Sequence, residues 1–293
     1  MTKLKTAGIQ IAPLPVAAGS GPQHLTDTLR RAAELIGMAV DNDVKIVCLP
    51  QLFNLPWFPA DIPKGKDDEK FGLAETEDGP TITRMRGVAK EHGIVIIAPI
   101  FERAPATDSG SDDEFFSTAF VIGTEGELIG KYRKVHIPQL PLWEERSYFM
   151  PGDLGFPVFD TPFGKIGVQL CWDVFFPECA RIMALNGASV IFAPTAAAFD
   201  HSCLKWERAV SASAHANGVF IFRVNRVGSE EKQDFYGGSF CMRPDGEFLS
   251  RPAGSSEGVV LAEMDLSEIE SVRNIWEFLK TRRPDAYEGL IKE

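Results

Sequence analysis

The stretch GKIGVQLCWDVFFPECARIMALNGA, Gly164 to Ala188, places a thiol where a strand should end. An apolar run from Ile166 reaches Leu170 and then Cys171, and Asp173, Phe175, Phe176 and Pro177 lead into a helix-like pattern. Strand, tight turn and helix is the geometry of a nucleophile elbow, although the glycines of the G-x-S-x-G form are missing. In that geometry the thiol stands proud of the sheet edge, and N–H groups of the turn can cradle an oxyanion. A nearby cation or helix N-terminus would favour the nucleophilic thiolate. A free cysteine taken alone is more often a small buried hydrophobe. The turn is what sets Cys171 apart.

A thiol nucleophile needs a cation and a proton acceptor. GKYRKVHIPQ supplies Lys131, Arg133, Lys134 and His136 at a strand end. Alternation puts Lys134 and His136 on one face and Arg133 on the other. The plainer reading of the same residues is a solvated basic edge that discourages sheet pairing. WEERSYFMPGD offers two carboxylates, Glu144 and Glu145. CLPQLFNLPWF leaves a strand for an aromatic loop, and Gln51 stands at the strand end. A glutamine hydrogen-bonds but takes no proton at ordinary pH.

The elements that must position these residues alternate along the chain. KTAGIQIA, KIVCLP and IVIIAPIFE read as strands, the last apolar on both faces and so central in a sheet. PQHLTDTLRRAAELIGMAV and TITRMRGVAKEHG carry apolar residues at helical spacing, the second stopped by Gly93. STAFVIGTEGELIGKYRKV, PVFDTPFGKIGVQL and GSFCMRPDGEFLS read as hairpins. SVIFAPT, KWERAVSASAHANG and VFIFRVNRVG follow as strand, helix and strand, and GVVLAEMD precedes a polar tail. Strand–helix alternation mixed with hairpins predicts a mixed sheet with helices outside. The one-sided hairpins call for a second sheet packed on the first. RAPATDSGSDDE, Arg103 to Glu114, reads as an exposed loop. No linker divides the 293 residues, so one domain is expected.

Composition narrows the function. A formal charge of −11 argues against a nucleic-acid or anionic membrane surface. No apolar run approaches the roughly 20 residues of a membrane helix. The N-terminus has too short an apolar core for a signal peptide. Five scattered cysteines without a C-x-x-C argue against a disulfide framework or a zinc site, and for the cytoplasm.

Taken together, AGIQIAP, LPQLF, GKYRKVHIP, ERSYFMPGD, LCWDVFFPECARIMALNGA, VNRVG and LKTRRPDAYEGL resemble the nitrilase superfamily, the thiol-dependent carbon–nitrogen hydrolases. The likeness covers nearly the whole chain, and the number and order of its pieces make it specific. It implies an α/β fold, a four-layer αββα sandwich of two mixed β-sheets flanked by helices. It implies a homodimer or higher homo-oligomer paired through the outer helices, with the tail from about residue 268 to 293 packing on the partner. It implies Cys171 as nucleophile and Lys134 as oxyanion stabiliser, helped by the N–H of Trp172. It gives position 51 to the general base and Glu145 to a supporting hydrogen bond. The chemistry needs no metal or organic cofactor, and none is expected.

Position 51 departs from the likeness, because the family motif reads LPELF. Losing that carboxylate should slow turnover by about 10²–10⁴-fold. Gln51 is a substitution made to trap a substrate, the residue of a member with altered chemistry, or the mark of a homologue that only binds. A lesser departure is Ser117, where many members carry asparagine. The expected substrate is a small amide or N-carbamoyl (ureido) compound, with water as second substrate. A nitrilase converting a nitrile to acid is the alternative, and an inactive binding homologue is another. Trp57, Trp143, Trp172, Phe175 and Phe199 are the expected substrate-binding residues, with Phe53 and Phe58 nearby. His201 is expected at the surface or in support. Arg208 and Arg226 are the candidate clamps for a substrate carboxylate.

Overall fold

A computed structural model describes residues 3–12, 14, 21–105 and 112–291. The middle of the Arg103–Glu114 stretch lies outside the described residues. The first half runs β1 (Lys3–Gln10), α1 (Gly21–Val40), β2 (Ile46–Cys48), α2 (Pro80–His92), β3 (Val95–Ala104), β4 (Glu114–Ile122) and β5 (Leu128–Arg133). The second runs β6 (Val158–Thr161), β7 (Gly164–Val168), α3 (Pro177–Leu185), β8 (Val190–Thr195), α4 (Cys203–Asn217), β9 (Phe220–Asn225), β10 (Val227–Ser229), β11 (Asp234–Tyr236), β12 (Phe240–Met242), β13 (Gly258–Asp265) and α5 (Ser267–Trp276). α2 ends where expected, with Gly93 in the left-handed region at φ 62°.

Two large mixed sheets result, ordered β13-β1-β2-β3-β4-β5 and β12-β9-β8-β7-β6. β1, β2 and β3 pair in parallel, and so do β7, β8 and β9. The alternation of β3 shows how the layers stack. Ile96, Ala98 and Ile100 meet Leu35, Ile36, Met85 and Val88 of α1 and α2. Val95 and Ile97 meet Phe192, Phe222 and Val224 of the opposite sheet. Ile191 and Ile221 point outward, onto Met183 of α3 and Val210 of α4. The order is therefore α1/α2, sheet, sheet, α3/α4, which is the expected αββα sandwich.

Three strand expectations change in detail. VFIFRVNRVG breaks in two after Asn225, and its end pairs with β11 as a separate ribbon. The return arm of GSFCMRPDGEFLS is no strand: it touches β12 through a single Met242–Phe248 bridge, while β12 pairs with β9. GVVLAEMD crosses the molecule to lie antiparallel on β1, and the tail after it opens with helix α5.

The sheets approach closely at Gly8 of β1. A Cβ there would meet Val224 Cγ2 of β9 at 2.7 Å. Gly8→Ala is therefore expected to overpack the layer and cost about 1–3 kcal/mol. Urea unfolding should show a lower midpoint at unchanged slope.

Candidate active site

The sheet ends gather the four polar candidates. β7 continues through Gln169, whose N–H donates to Phe192 O, to the turn at Leu170. There Leu170 N–H donates to Asp173 Oδ2 at 3.1 Å, and Asp173 N–H donates back to Leu170 O at 3.1 Å. This reciprocal pair closes a 3-10 turn, Cys171–Phe175, ahead of α3. Cys171 sits in it at φ 49°, a left-handed conformation that is uncommon for a residue with a Cβ. The strand–turn–helix elbow expected from the sequence is thus present in the backbone. Asp173 anchors it further, accepting from Tyr132 Oη at 2.7 Å and from His136 N–H at 2.9 Å.

Lys134 directly follows β5, and its N–H donates to Ser117 O at 2.9 Å. Its side chain turns inward, and Nζ donates to Glu145 Oε2 at 2.6 Å. Gln51 Nε2 donates to the same Oε2 at 3.3 Å and to Ser117 Oγ at 3.3 Å. Gln51, Lys134 and Glu145 are fully buried. The Gln51 loop is held from below by Arg226, which donates to the carbonyls of Gln51, Leu52 and Leu55 and pairs with Glu230 at 2.6 Å. Gln51 Oε1 and Glu145 Oε1 have no partner among the described residues.

Cys171 is only 3 % exposed, yet it lines a cavity of about 340 Å³. Trp143, Trp172, Phe175 and Phe199 line the same cavity, and Trp206 joins them. Trp57 does not line it. Its indole N–H donates to Leu142 O, and its rings back Trp143 at 6.0 Å between centroids. Phe53 lies in the core under α1 and α2, and Phe58 packs on Phe101 and Tyr148. His201 is exposed and borders the cavity.

Other expectations are corrected. The alternation proposed for Lys134 and His136 fails because β5 stops at Arg133. His136 instead stacks on Phe176 at 3.5 Å and bonds Asp173 at 2.8 Å. Arg133 pairs with Glu102 and Asp153. Arg226 faces loop carbonyls, and neither it nor Arg208 lines the cavity. The ligand atoms of His136, Asp173 and Cys179 lie within 4.8 Å of one another, a grouping that could hold a metal ion. Tyr132 Oη and the N–H groups of His136 and Leu170 donate to Asp173, the His136 ring bonds the same carboxylate, and Cys179 Sγ lies 3.8 Å from His136 Nδ1.

Electrostatics also revise the thiolate expectation. Burial pushes the Cys171 thiol above its ordinary value of 9.0, and Glu145 adds to it, against the opposing fields of Lys134 and Arg223. The resting side chain is therefore a thiol rather than a thiolate. Burial works against the Lys134 ammonium, but the charge and hydrogen bond of Glu145 favour it and its pKa stands above the ordinary value, so Lys134 stays cationic. Burial lifts the Glu145 carboxyl against the pull of Lys134 and Gln51. Alkylation of Cys171 by iodoacetamide should therefore be slow at neutral pH and still rising beyond pH 9.0. Peptide mass mapping separates it from the half-exposed Cys203.

Arg223 was missed from sequence, although an arginine inside the apolar run VFIFRVN is a signal. Its guanidinium is buried against Trp206 at 4.9 Å, donates to Gly238 O and Tyr236 Oη, and pairs with no carboxylate among the described residues.

The carbon–nitrogen hydrolase family model matches residues 5–274. The chain belongs to the carbon–nitrogen hydrolase family. It is 37% identical over 275 residues to an N-carbamoylputrescine amidase of Solanum lycopersicum, covering 89% of this chain and 88% of that protein. A citrullinase of Francisella tularensis is 30% identical over 304 residues, covering 100% of each. The crystal structure of a carbon–nitrogen hydrolase from Helicobacter pylori G27 superposes with a TM-score of 0.88 at 32% identity, over 99% of both chains. A carbon–nitrogen hydrolase fold thus carries a cavity lined by a cysteine in left-handed backbone, in the field of a buried lysine–glutamate pair.

Proposed function

We propose that the chain hydrolyses the carbon–nitrogen bond of a small amide or N-carbamoyl compound through a thioester on Cys171. The observation that carries this reading is Cys171 itself. It is held in left-handed backbone, lines an apolar cavity, and lies within the field of the buried Lys134 ammonium. The names of the two curated relatives favour the N-carbamoyl class.

Cys171 Sγ attacks the carbonyl carbon, and a carbon–sulfur bond forms as the π electrons move to oxygen. Lys134 and the Trp172 N–H stabilise that oxyanion. The oxyanion collapses, the carbon–nitrogen bond breaks, and the thiol proton ends on the departing amine or ammonia. Water then cleaves the thioester, the acid leaves, and the thiol is restored. Gln51 fills the place of the general base without accepting a proton, so both proton transfers suffer and turnover is slow. Glu145 holds Lys134 and Gln51 in place.

Residues 1–293 act as one such domain, and copies associate through the outer helices and tail. Supporting this, Ile182, Leu185, Leu290 and Ile291 line an open groove of about 810 Å³ with Arg282 and Tyr287.

The test is ammonia release from a panel of amides, N-carbamoyl compounds and nitriles, with intact-mass measurement of the protein. Slow release, a mass adduct on Cys171 and loss of both in Cys171→Ala are expected. Release that survives Cys171→Ala would refute the thioester route, and release from nitriles alone would replace the amide reading.

A further inference from the structure

We propose that Lys205 sets the charge preference of the cavity, so that the substrate carries a carboxylate at the end remote from its scissile carbonyl. This inference rests on the hydrolase reading above and sharpens its substrate class.

The cavity walls are apolar and aromatic. Trp143 meets Phe199 at 4.4 Å, and Phe175 meets Trp206 at 4.6 Å and Trp172 at 5.2 Å. The Ser202 hydroxyl is already engaged, donating to Phe199 O at 2.6 Å and accepting from the Trp206 indole at 3.2 Å. Among the described lining residues Lys205 is the one side chain with a permanent charge, and none is acidic. Nearby carboxylates are directed elsewhere. Glu144 accepts from Gln139, Asp200 and Glu207 line a separate cavity, and Glu178 lines the outer groove.

Lys205 is exposed and makes no ion pair among the described residues. It stands in the first turn of α4, where the helix N-terminus adds positive potential. Cys171 is buried and Lys205 exposed in the lining of the same cavity, so an apolar chain running outward from Cys171 along the aromatic walls would meet this charge. A carboxylate there gains an ion pair, whereas an ammonium is repelled. Aromatic faces attract cations, and this opposes the preference, so the balance must be read by direct competition. The cavity, about 340 Å³, lies in the size range of small-molecule sites. A ureido head, a short methylene chain and a carboxylate fill that space.

The relatives' name pairs the ureido head with an amine, so the distinction is informative. Three ureas that share head and chain provide it: 5-ureidopentanoate, pentylurea and N-carbamoylputrescine. Their kcat/KM values on the chain as it stands and on Gln51→Glu should fall in that order, with about tenfold between the charged ends. Lys205→Gln should flatten the series and Lys205→Glu should invert it. About 0.5 M salt should narrow it. Equal values, preference for the ammonium compound, or a series unchanged in Lys205→Glu would overturn the proposal. Calorimetric binding of the same ureas to Cys171→Ala reads the preference without turnover. Ordered binding with no hydrolysis by any active-cysteine form would sink the hydrolase reading and leave the charge preference standing. Unordered binding would sink the charge preference alone.

Discussion

Replacing Gln51 with glutamate should raise steady-state ammonia release by about 10²–10⁴-fold. Burial keeps the resting Cys171 thiol protonated. Something must take that proton and later take one from water. In the present chain Gln51 offers an amide nitrogen to Glu145 and Ser117 and an Oε1 without a partner among the described residues. None of these atoms is a base. A carboxylate at this place would sit beside Glu145, which burial already pushes upward. Two neighbouring carboxylates resist double ionisation, so their shared proton comes off at a raised pKa. That brings the base towards neutral pH, where proton transfer is most effective. The variant's rate should acquire an acid limb that the parent lacks, and its adduct on Cys171 should become short-lived. Unchanged turnover with a stable fold would show that position 51 is not the base.

Removing the Lys134 charge should have the second large effect. Lys134→Met leaves Glu145 buried without its cation, and breaking a buried pair on one side costs about 3–5 kcal/mol. The cost depends on pH with a definite sign. Burial already raises the Glu145 carboxyl above its ordinary value of 4.5, and loss of Lys134 raises it further. The folded variant thus holds a proton that the unfolded chain gives up. Its stability should fall as pH rises from about 4.5 through the folded pKa and should suffer least in acid. Urea unfolding at several pH values checks this. Activity should fall by about 10²–10³-fold from the lost oxyanion stabilisation. The double variant Lys134→Met with Glu145→Leu should recover most of the stability and none of the activity. Recovery of activity would show that Lys134 is structural.

Period and turn chemistry made much of the architecture legible in the chain. β3 is apolar on both faces because it lies between a helical layer and a second sheet, and its unbroken IVIIAPIF run says so. The elbow at Cys171 was legible for a similar reason: a strand pattern ends, and a helix pattern begins, too close together for an ordinary loop. Gln51, Lys134 and Glu145 were each visible as strand-end or loop residues, and the resemblance of the motifs tied them together.

The remaining features depended on tertiary contacts between residues distant in the chain. β13 pairs with β1 across more than 240 positions, and no local pattern encodes that register. GEFLS alternates like a strand yet meets β12, the edge strand of its sheet, through only one bridge. The protonation of Cys171 is a balance of burial against the fields of Lys134, Glu145 and Arg223, groups contributed by separate segments. Trp57 and Trp143 both donate their indole N–H to a carbonyl, Leu142 O and Ala196 O, yet only Trp143 lines the cavity, a sorting set by packing between distant segments. Residue type and spacing therefore determined which groups could react. Only the folding of distant segments around them decided their charge, their neighbours and what can reach them, because burial and electrostatic fields are properties of the assembled surroundings.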